Sequence, residues 1–362
     1  MEGFGWYTYE VTKRLVENHP EHEFVLFFDR PFDPKFVFGP NATPVVLFPQ
    51  ARHPILFVWW FNWSITKALK KYKCDVFFSP DGYLSLRTSV PQIPVIHDLN
   101  FEYHPEDLQR KHRNYYRKYF PKFAKKAKHI LTVSEYSKQD IVKLYGIPSD
   151  KITVAWNGAA DDFKPLDDNE IQQVRSQYSN GKPYFIFVGS LHPRKNLKTL
   201  LEAFAAFALL NHEIDLLIVG KDLWKNSSIA LGEDILKVKN RIHLTGHVSF
   251  EQLTKLNGAA FALTYIPYFE GFGIPLVEAM KCGIPILSGN LTSLPEVAGD
   301  AAIYVDPMNA GEVCSQMINL ASDKELYNEM ARKSLERARL FSWDFTAEGV
   351  WKVIEKVMTN DE

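Results

Sequence analysis

Two glutamates, separated by seven residues, flank a glycine turn in the segment YFEGFGIPLVEAMKCGIPILSG. Glu270 precedes the turn and Glu278 follows it, while Pro275 and Gly283 predict the start and end of a short helix. The N-terminus of such a helix presents unpaired amides that can bind phosphate or sugar hydroxyls. Because a phosphate would repel a carboxylate, we expect both glutamates to accept hydrogen bonds from neutral sugar or ribose hydroxyls. The alternative is that Glu270 caps the helix and Glu278 is solvated.

A second candidate binding loop is VGSLHPRKNLKTLLEAF, in which Arg194 and Lys195 stand just before a predicted helix. Two cations at a helix N-terminus destabilise that helix unless an anion lies beside them. A bound diphosphate would supply that anion. The alternative is that both are solvated loop charges.

A histidine, His97, stands at the end of a predicted strand in VIHDLNF, in the first half of the chain. Histidine at such a position serves either as a hydrogen-bonding loop residue or as a catalytic group. The sequence leaves both roles open.

Apolar runs alternate with amphipathic segments along the whole chain, which is typical of parallel sheets covered by helices on both faces. The predicted strands are EFVLFFD, DVFFSP, IPVIHDL and HILTVSE, then YFIFVGS, DLLIVGK, RIHLTG, FALTYIP, PILSGN and AIYVD. The pattern is interrupted in VAWNGAADDFKPL. We therefore predict two doubly wound α/β domains, residues 1–160 and 161–340, and a C-terminal helix, 341–362, that packs back on the first domain. Ligands of such sheets bind beyond the carboxyl ends of the strands.

The composition limits the classes of protein to consider. The chain has 362 residues, enough for two domains, and a net charge of -1, so an electrostatic partner must meet a local patch. Three cysteines without CxxC spacing argue against a disulfide framework and a structural zinc site. No segment is apolar enough to span a bilayer and no export signal is visible, so we expect a cytoplasmic protein.

Together these segments resemble a known family. GSLHPRKNL and EGFGIPLVEAMKCGIPILSGNLTSLPEVAGDAAIYVDP are similar to the nucleotide-sugar half of family 4 retaining glycosyltransferases, whose hallmark glutamate pair Glu270 and Glu278 match. VIHDLNFEYHPE, LTVSEYSKQDI and ITVAWNGAADDF resemble the first half. The resemblance implies the GT-B fold, two Rossmann-like domains facing a cleft. It also implies a retaining hexosyltransferase, of the kind that builds bacterial surface polysaccharides or lipopolysaccharide, with mannose as one candidate sugar.

The resemblance implies the substrates and the site residues. The donor would be a nucleotide sugar, such as a GDP- or UDP-sugar, and the acceptor a glycan or a lipid-linked saccharide. Glu270 would contact the transferred sugar, Glu278 the ribose, Arg194 and Lys195 the diphosphate, and His97 the sugar near the reaction centre. The other donor-binding residues implied are Gly3, Gly5, Ser190, Gly271, Phe272 and Gly273. Ser190 stands where many members carry an arginine, so Arg194 would supply the second cation.

The expected mechanism follows from the negative charge that grows on the departing diphosphate. The sequence contains no D-x-D metal motif, so we expect Arg194, Lys195 and helix amides to neutralise this charge without a metal. In the family the sugar is transferred with retention, and the departing phosphate takes the acceptor proton on the same face. No general base of the enzyme is then needed.

The tetrapeptide EGFG also occurs at the start of the chain, where Gly3 and Gly5 precede the helical run WYTYEVTKRLVENH. We expect these glycines to form a loop that approaches the donor phosphates or the acceptor. Such a loop normally follows the first strand of the sheet, and no strand precedes Glu2. We therefore expect Met1 to be an internal or misassigned start, preceded by roughly ten to twenty residues that include a strand.

Three other functions could be considered for these motifs besides sugar transfer. A dinucleotide-dependent oxidoreductase needs G-x-G-x-x-G after a strand, and GFGWYT lacks both the third glycine and the strand. A glycoside hydrolase could use Glu270 and Glu278 as its two carboxylates, but a phosphate-binding turn lies beside them. A non-catalytic sugar-nucleotide or glycan-binding protein stays open, because binding and transfer need nearly the same residues.

The segment from Arg110 to Lys128 carries nine lysines and arginines, no acidic residue and several interleaved aromatic residues. Such a segment suits an anionic membrane surface, with the aromatic rings at the lipid interface. The alternative is a solvated helix face. Nucleic acid is not expected as a partner of a nearly neutral chain. We expect peripheral contact with the inner face of the cell membrane.

Overall fold

The structure is a computed structural model that describes residues 3–190, 192–220 and 232–359. The chain forms two compact units, which are described separately. The first unit is Met1–Gly158 together with Trp343–Glu362, and the second is Ala159–Ser342. The chain passes from the first unit to the second within VAWNGAADDFKPL, where glycine and two aspartates interrupt the apolar pattern.

The first unit contains short parallel strand pairs and surrounding helices. The strands pair as β1 (Phe24–Phe28) with β2 (Ala42–Val46), β3 (Phe77–Ser79) with β4 (Gln92–Pro94), and β5 (Ile130–Thr132) with β6 (Ile152–Val154), and a bridge joins Val95 to Leu131. The helices are α1 (Gly3–Asn18), α2 (Pro54–Trp59), α3 (Thr66–Lys71), α4 (Asn100–Tyr103), α5 (Arg110–Lys126) and α6 (Glu135–Tyr145). A π-helical turn, Trp60–Ile65, joins α2 to α3.

The second unit is built around a six-stranded parallel sheet of order β12-β11-β10-β7-β8-β9. Its strands are β7 (Tyr184–Val188), β8 (Asp215–Val219), β9 (Ile242–Gly246), β10 (Ala262–Tyr265), β11 (Ile286–Gly289) and β12 (Ile303–Val305). Its helices are α7 (Asp168–Tyr178), α8 (Leu197–Leu210), α9 (Glu233–Lys237), α10 (Phe250–Gly258), α11 (Ile274–Cys282), α12 (Leu294–Ala298), α13 (Ala310–Ser322) and α14 (Lys324–Ala338). This is the strand order of a doubly wound dinucleotide-binding sheet.

The chain then returns to the first unit as α15 (Trp343–Thr359), which packs against α1. The two helices are held together by apolar side chains and by polar contacts at the rim. Arg14 donates from Nε to Asp344 Oδ1 at 2.5 Å, and the ring of His19 stacks on Trp351 with centroids 3.6 Å apart. The C-terminal helix therefore belongs to the same compact unit as the N-terminal helix.

Burial in the core of the second unit explains why α8 forms where the spacing of apolar residues predicts a helix. Leu200, Leu201, Phe204 and Phe207 are fully buried and lie on one face of this helix, against the sheet. At about 25 cal/mol per Å² of apolar surface, burying each such side chain stabilises the fold by about 2 kcal/mol. The helix that follows the candidate diphosphate loop is therefore fixed rigidly on the sheet.

Two predictions about the first unit are wrong. Gly3 and Gly5 do not form a loop, because α1 already begins at Gly3 and both glycines lie in its first turn. A first turn needs no intrahelical partners for its amides, so glycine is tolerated there. The aromatic residues of the basic segment do not face outwards: Tyr115, Phe120 and Phe123 are buried in the core of the unit.

Candidate active site

The sequence-predicted loops of the second unit meet at one place on the sheet. The loop that carries Arg194 and Lys195 follows β7, and the glycine turn that begins at Glu270 follows β10. These strands are neighbours, and from them the chain winds outwards in opposite directions, to β8 on one side and to β11 on the other. Ligands of doubly wound sheets bind at such a switch point, beyond the carboxyl ends of the strands.

The glycine turn has the geometry that its sequence predicts. Gly273 has φ +99°, and a Cβ atom there would lie 3.0 Å from Leu294 Cδ2, so only glycine fits without strain. The helix α11 begins directly after Gly273, and no side chain caps it. The alternative in which Glu270 is the cap is therefore wrong.

Lys195 lies at the centre of the site and bonds to two other side chains. Its Nζ donates to Glu270 Oε1 at 2.5 Å and to the hydroxyl oxygen of Tyr265 at 2.7 Å. The Tyr265 hydroxyl also acts to lower the pKa of the Glu270 carboxyl. The Lys195 ammonium thus bonds to both groups at once, and Glu270 is only 7% exposed.

Arg194 adds a second positive charge to the same carboxylate. Its Nη1 lies 3.3 Å from Glu270 Oε1 and donates to the carbonyl oxygen of Phe269 at 3.2 Å. Asn196, two residues after Arg194, adopts a left-handed conformation. Its side-chain amide donates to the carbonyl oxygens of Ile266 and Pro307, which fixes the loop against these two segments. The structure thus provides the anion that two cations before a helix require, and this anion is Glu270 itself.

The backbone of Glu270 is held by residues that the sequence analysis did not single out. Its amide donates to Thr292 Oγ1 at 3.2 Å, and its carbonyl accepts from Ser293 Oγ at 3.0 Å. Thr292 has φ +58°, an unfavourable conformation for a β-branched residue. The sequence signal that could have identified these two residues is a threonine and a serine shortly after the predicted strand PILSGN. Strain of this kind is concentrated at functional sites.

The two glutamates have opposite electrostatic environments. Burial raises the pKa of Glu278 to about 7, and the charge of Lys195 only partly offsets this. Burial also acts to raise the pKa of Glu270, but the charges of Lys195 and Arg194 outweigh it, so this pKa lies below its ordinary value. At neutral pH Glu270 is ionised and Glu278 is close to half protonated. Glu278 is half-buried, so the alternative of a fully solvated helix residue is wrong.

His97 lies in the first unit, after β4. Its Nε2 is 2.8 Å from the carbonyl oxygen of Pro80, so this nitrogen carries the proton and Nδ1 is the acceptor. The rings of Phe4 and Tyr7 from α1 contact the imidazole edge to face, at 4.7 and 4.8 Å. Burial lowers the pKa of His97, so the ring is neutral at pH 7. The first turn of α1 is thereby placed beside His97, although it is a helix rather than a loop.

The remaining predicted residues differ in what they can offer a donor. Ser190 is exposed after β7, whereas the side chain of Phe272 is buried and packs against Phe341 at 5.9 Å. Phe272 therefore offers only its backbone. Within residues 3–190, 192–220 and 232–359, no cluster of three or more histidine, cysteine or acidic side chains is arranged to hold a metal ion. Over the same residues, no helix is long and apolar enough to cross a bilayer.

Two family profiles divide the chain between them. Residues 1–163 match Glycosyltransferase Family 4, and residues 168–337 match Glycosyl transferases group 1. The second match contains both glutamates and both cations of the site. The first match contains His97.

Similar proteins and structures extend over nearly the whole chain. The chain is 28% identical to the O-antigen chain mannosyltransferase B of Escherichia coli over 95% of its length and 93% of that protein. The structure of WaaG, a glycosyltransferase involved in lipopolysaccharide biosynthesis, superposes with a TM-score of 0.76 at 17% identity, covering 98% and 96% of the two chains. Anabaena HepE in complex with UDP-glucose gives 0.72 at 16% identity, covering 96% of each chain. These likenesses confirm the predicted α/β GT-B fold class.

Proposed function

The chain belongs to the glycosyltransferases of the family 4 and group 1 type, and from this premise we propose that it transfers mannose from a nucleotide-linked donor in the assembly of a surface polysaccharide. The acceptor is a glycan or a lipid-linked saccharide, and the anomeric configuration is retained. The name of the Escherichia coli relative supports the choice of mannose and of the polysaccharide. The complex of HepE with UDP-glucose supports a nucleotide sugar as the class of donor.

One observation carries the proposal. Arg194 and Lys195 converge on Glu270 at the switch point of the sheet, next to the N-terminus of α11. Two cations and a row of helix amides at this place are the chemistry that a diphosphate leaving group requires. A carboxylate among them is suited to the hydroxyls of a sugar.

The roles of the residues follow from where charge develops. Lys195 and Arg194 stabilise the negative charge that grows on the diphosphate as the bond to the anomeric carbon breaks. Arg194 takes the place of the arginine that many family members carry at the position of Ser190. Glu270 binds the transferred sugar, and Glu278 accepts hydrogen bonds from the ribose hydroxyls.

The acceptor proton goes to the departing phosphate on the same face of the sugar, so the chain needs no separate base. His97 is neutral and contacts the sugar rather than transferring a proton. Fixed cations and amides perform the work that a metal ion performs elsewhere, and the reaction proceeds without one.

The donor is identified by a panel of nucleotide sugars. GDP-mannose, UDP-glucose, UDP-galactose and UDP-N-acetylglucosamine are each supplied with a mannose-containing oligosaccharide, and transfer is followed by mass spectrometry. We expect an α-mannoside from GDP-mannose. Transfer from a UDP-sugar alone would refute the choice of mannose, and tight donor binding without transfer or hydrolysis would favour a non-catalytic sugar-nucleotide-binding protein.

The proposal places the enzyme on the inner face of the cell membrane, held there by α5. The lysines and arginines of this helix are mainly exposed, while its aromatic residues pack inwards. The helix therefore presents a cationic face without an apolar one. Binding of this kind is electrostatic and depends on anionic lipid headgroups.

A further inference from the structure

Tyr265 is a buried residue of the site that none of the roles above uses. It is the last residue of β10, and its side chain is fully buried. Its hydroxyl accepts a hydrogen bond from Lys195 Nζ at 2.7 Å, and the same Nζ donates to Glu270 Oε1 at 2.5 Å. A neutral hydroxyl and a charged carboxylate thus share the ammonium group of one lysine.

The comparison with Tyr184 shows that this arrangement is not needed to bury a tyrosine. Tyr184 is also fully buried, on the neighbouring strand β7, and its hydroxyl donates to the backbone carbonyl of Leu256 at 2.8 Å. A backbone carbonyl is the ordinary partner of a buried side-chain hydroxyl. The hydroxyl of Tyr265 instead bonds to Lys195, a side chain that carries the proposed chemistry.

We propose that Tyr265 is a positioning residue for sugar transfer, whose hydroxyl holds the Lys195 ammonium, and through it the Glu270 carboxylate, in the working orientation. The inference rests on the proposed function of the site. A lysine side chain has four flexible bonds, so holding its ammonium in place costs rotamer entropy. Tyrosine has two rotatable bonds and is fixed here by the sheet, so it orients the lysine before the donor arrives. Stabilisation of a leaving group depends on such preorganisation.

The hydroxyl also affects the ionisation of Glu270. The charged and titratable groups that act on this carboxylate are Arg194 and Lys195 from the loop after β7 and Tyr265 from β10, and Glu278 from α11 acts on the Tyr265 hydroxyl. The Tyr265 hydroxyl acts to lower the pKa of this carboxyl, in addition to the larger effects of Lys195 and Arg194. Removal of that hydroxyl must therefore raise the pKa of Glu270.

The test replaces Tyr265 by phenylalanine and uses Tyr184→Phe as a matched control, since both changes remove one hydroxyl from a fully buried ring in the same sheet. We expect Tyr265→Phe to lower kcat about tenfold, the usual size of one lost hydrogen bond to a charged group. The KM for the donor should change less than twofold, because Tyr265 is not exposed to it. The acid limb of the pH profile of kcat should move to higher pH. Tyr184→Phe should change Tm but neither kcat nor the profile.

A second measurement does not depend on turnover. In protein labelled with carbon-13 at the glutamate side chains, the Glu270 carboxyl signal is assigned with Glu270→Gln and followed against pH. It should titrate at a higher pH in Tyr265→Phe than in the wild type. If kcat, the pH profile and this titration all match the wild type, Tyr265 is a packing residue and the inference is wrong.

The two proposals fail in different ways. A wild-type protein that transfers sugar while Tyr265→Phe behaves like Tyr184→Phe refutes the inference alone. A wild-type protein that uses no nucleotide sugar refutes the proposed function, and the Glu270 titration still decides whether Tyr265 controls that carboxylate.

Discussion

At the scale of single residues, the site is a balance of charges that the donor must alter. Lys195 is paired with Glu270 and Tyr265, and Arg194 approaches the same carboxylate. If the chain acts as we propose, a bound diphosphate competes with Glu270 for these cations. The carboxylate then becomes available to the hydroxyls of the sugar, so one binding event would prepare both parts of the site.

The first prediction concerns Lys195. Lys195→Ala should lower turnover about a hundredfold or more, because it removes a preorganised charge beside the leaving group. Lys198→Ala is the matched control, since Lys198 is exposed on α8 and pairs only weakly with Glu202, at 3.8 Å. Its turnover should stay at the wild-type level in steady-state assays.

The same turnover assay tests whether the reaction requires a metal ion. Wild-type activity should survive treatment with EDTA, since the proposed stabilisers are side chains and amides. Activity that EDTA abolishes and magnesium restores would contradict the assigned role of the two cations.

The second prediction concerns Glu278, whose pKa burial raises from 4.5 to about 7. The folded protein binds this proton more tightly than the unfolded chain, so stability falls as the pH rises between about 4.5 and about 7. Glu278→Gln removes this dependence. Relative to the wild type, its free energy of unfolding should rise by about 2 to 3 kcal/mol from pH 5 to pH 8.

Thermal or urea unfolding at both pH values measures this difference, and Glu202→Gln serves as the control for an exposed glutamate. Glu278→Gln should also weaken donor binding in calorimetry, because the ribose loses a charged acceptor. Parallel stability curves for Glu278→Gln and the wild type would show that this carboxylate is not buried as described.

At the scale of elements, the site depends on two loops that sheet and helices hold rigidly. The turn after β10 requires glycine at its last position, and the loop after β7 is fixed by Asn196. These features bring backbone amides and side chains to one edge of the sheet. The geometry of the site is therefore a property of the turn as much as of the residues on it.

The third prediction tests that turn. Gly273→Ala should destabilise the protein by about 1 to 3 kcal/mol, because alanine at a positive φ is strained and its Cβ would press on Leu294. Donor affinity should fall with it, since the start of α11 must shift. The control is Gly349→Ala in α15, where a Cβ would lie 3.5 Å from Ala155 Cβ, an ordinary contact.

The control should be neutral or stabilise the protein by up to about 1 kcal/mol, because alanine favours a helix over glycine. Urea unfolding compares the two variants. If Gly273→Ala is as stable as the wild type and binds donor equally well, the left-handed turn is not needed by the site.

At the scale of the whole molecule, the net charge of -1 hides an uneven distribution. The basic residues of α5 lie on the outer side of the first unit, and its aromatic residues belong to the core. A nearly neutral protein can therefore meet an anionic surface through one helix.

The fourth prediction concerns that helix. Replacement of Lys118, Lys122, Lys125 and Lys126 by glutamine should weaken sedimentation with anionic liposomes at least about tenfold, since each cation contributes about 1 kcal/mol at such a surface. Added salt should weaken binding of the wild type in the same way. A control with the same change in net charge replaces exposed lysines elsewhere, namely Lys198, Lys237, Lys324 and Lys352. Equal losses in both variants would show that net charge, not α5, governs binding.

Features that depend on neighbouring residues could be predicted from the amino-acid sequence. The spacing of apolar residues and the positions of turn residues predicted each strand of the second unit, the buried face of α8 and the glycine turn before α11. Each of these features depends on only a few neighbouring residues. The spacing of Glu270 and Glu278 and the loop PRKN, residues 193–196, resemble those of a known family. That resemblance indicated the fold and the class of reaction. The short strands β2 and β6 were missed, since brief runs with polar or proline residues carry little signal.

The contacts between residues that are distant in the sequence follow from the folded arrangement. Tyr265 and Glu270 lie 70 and 75 positions from Lys195 along the chain, and parallel pairing of β7 with β10 brings them together. No local sequence pattern predicts which cation pairs with which carboxylate. The opposite pKa shifts of Glu270 and Glu278 have the same origin, because both side chains lose water on folding but only one gains two cations as close partners. Burial and electrostatic coupling are properties of the folded arrangement, since they depend on groups that the sequence places far apart.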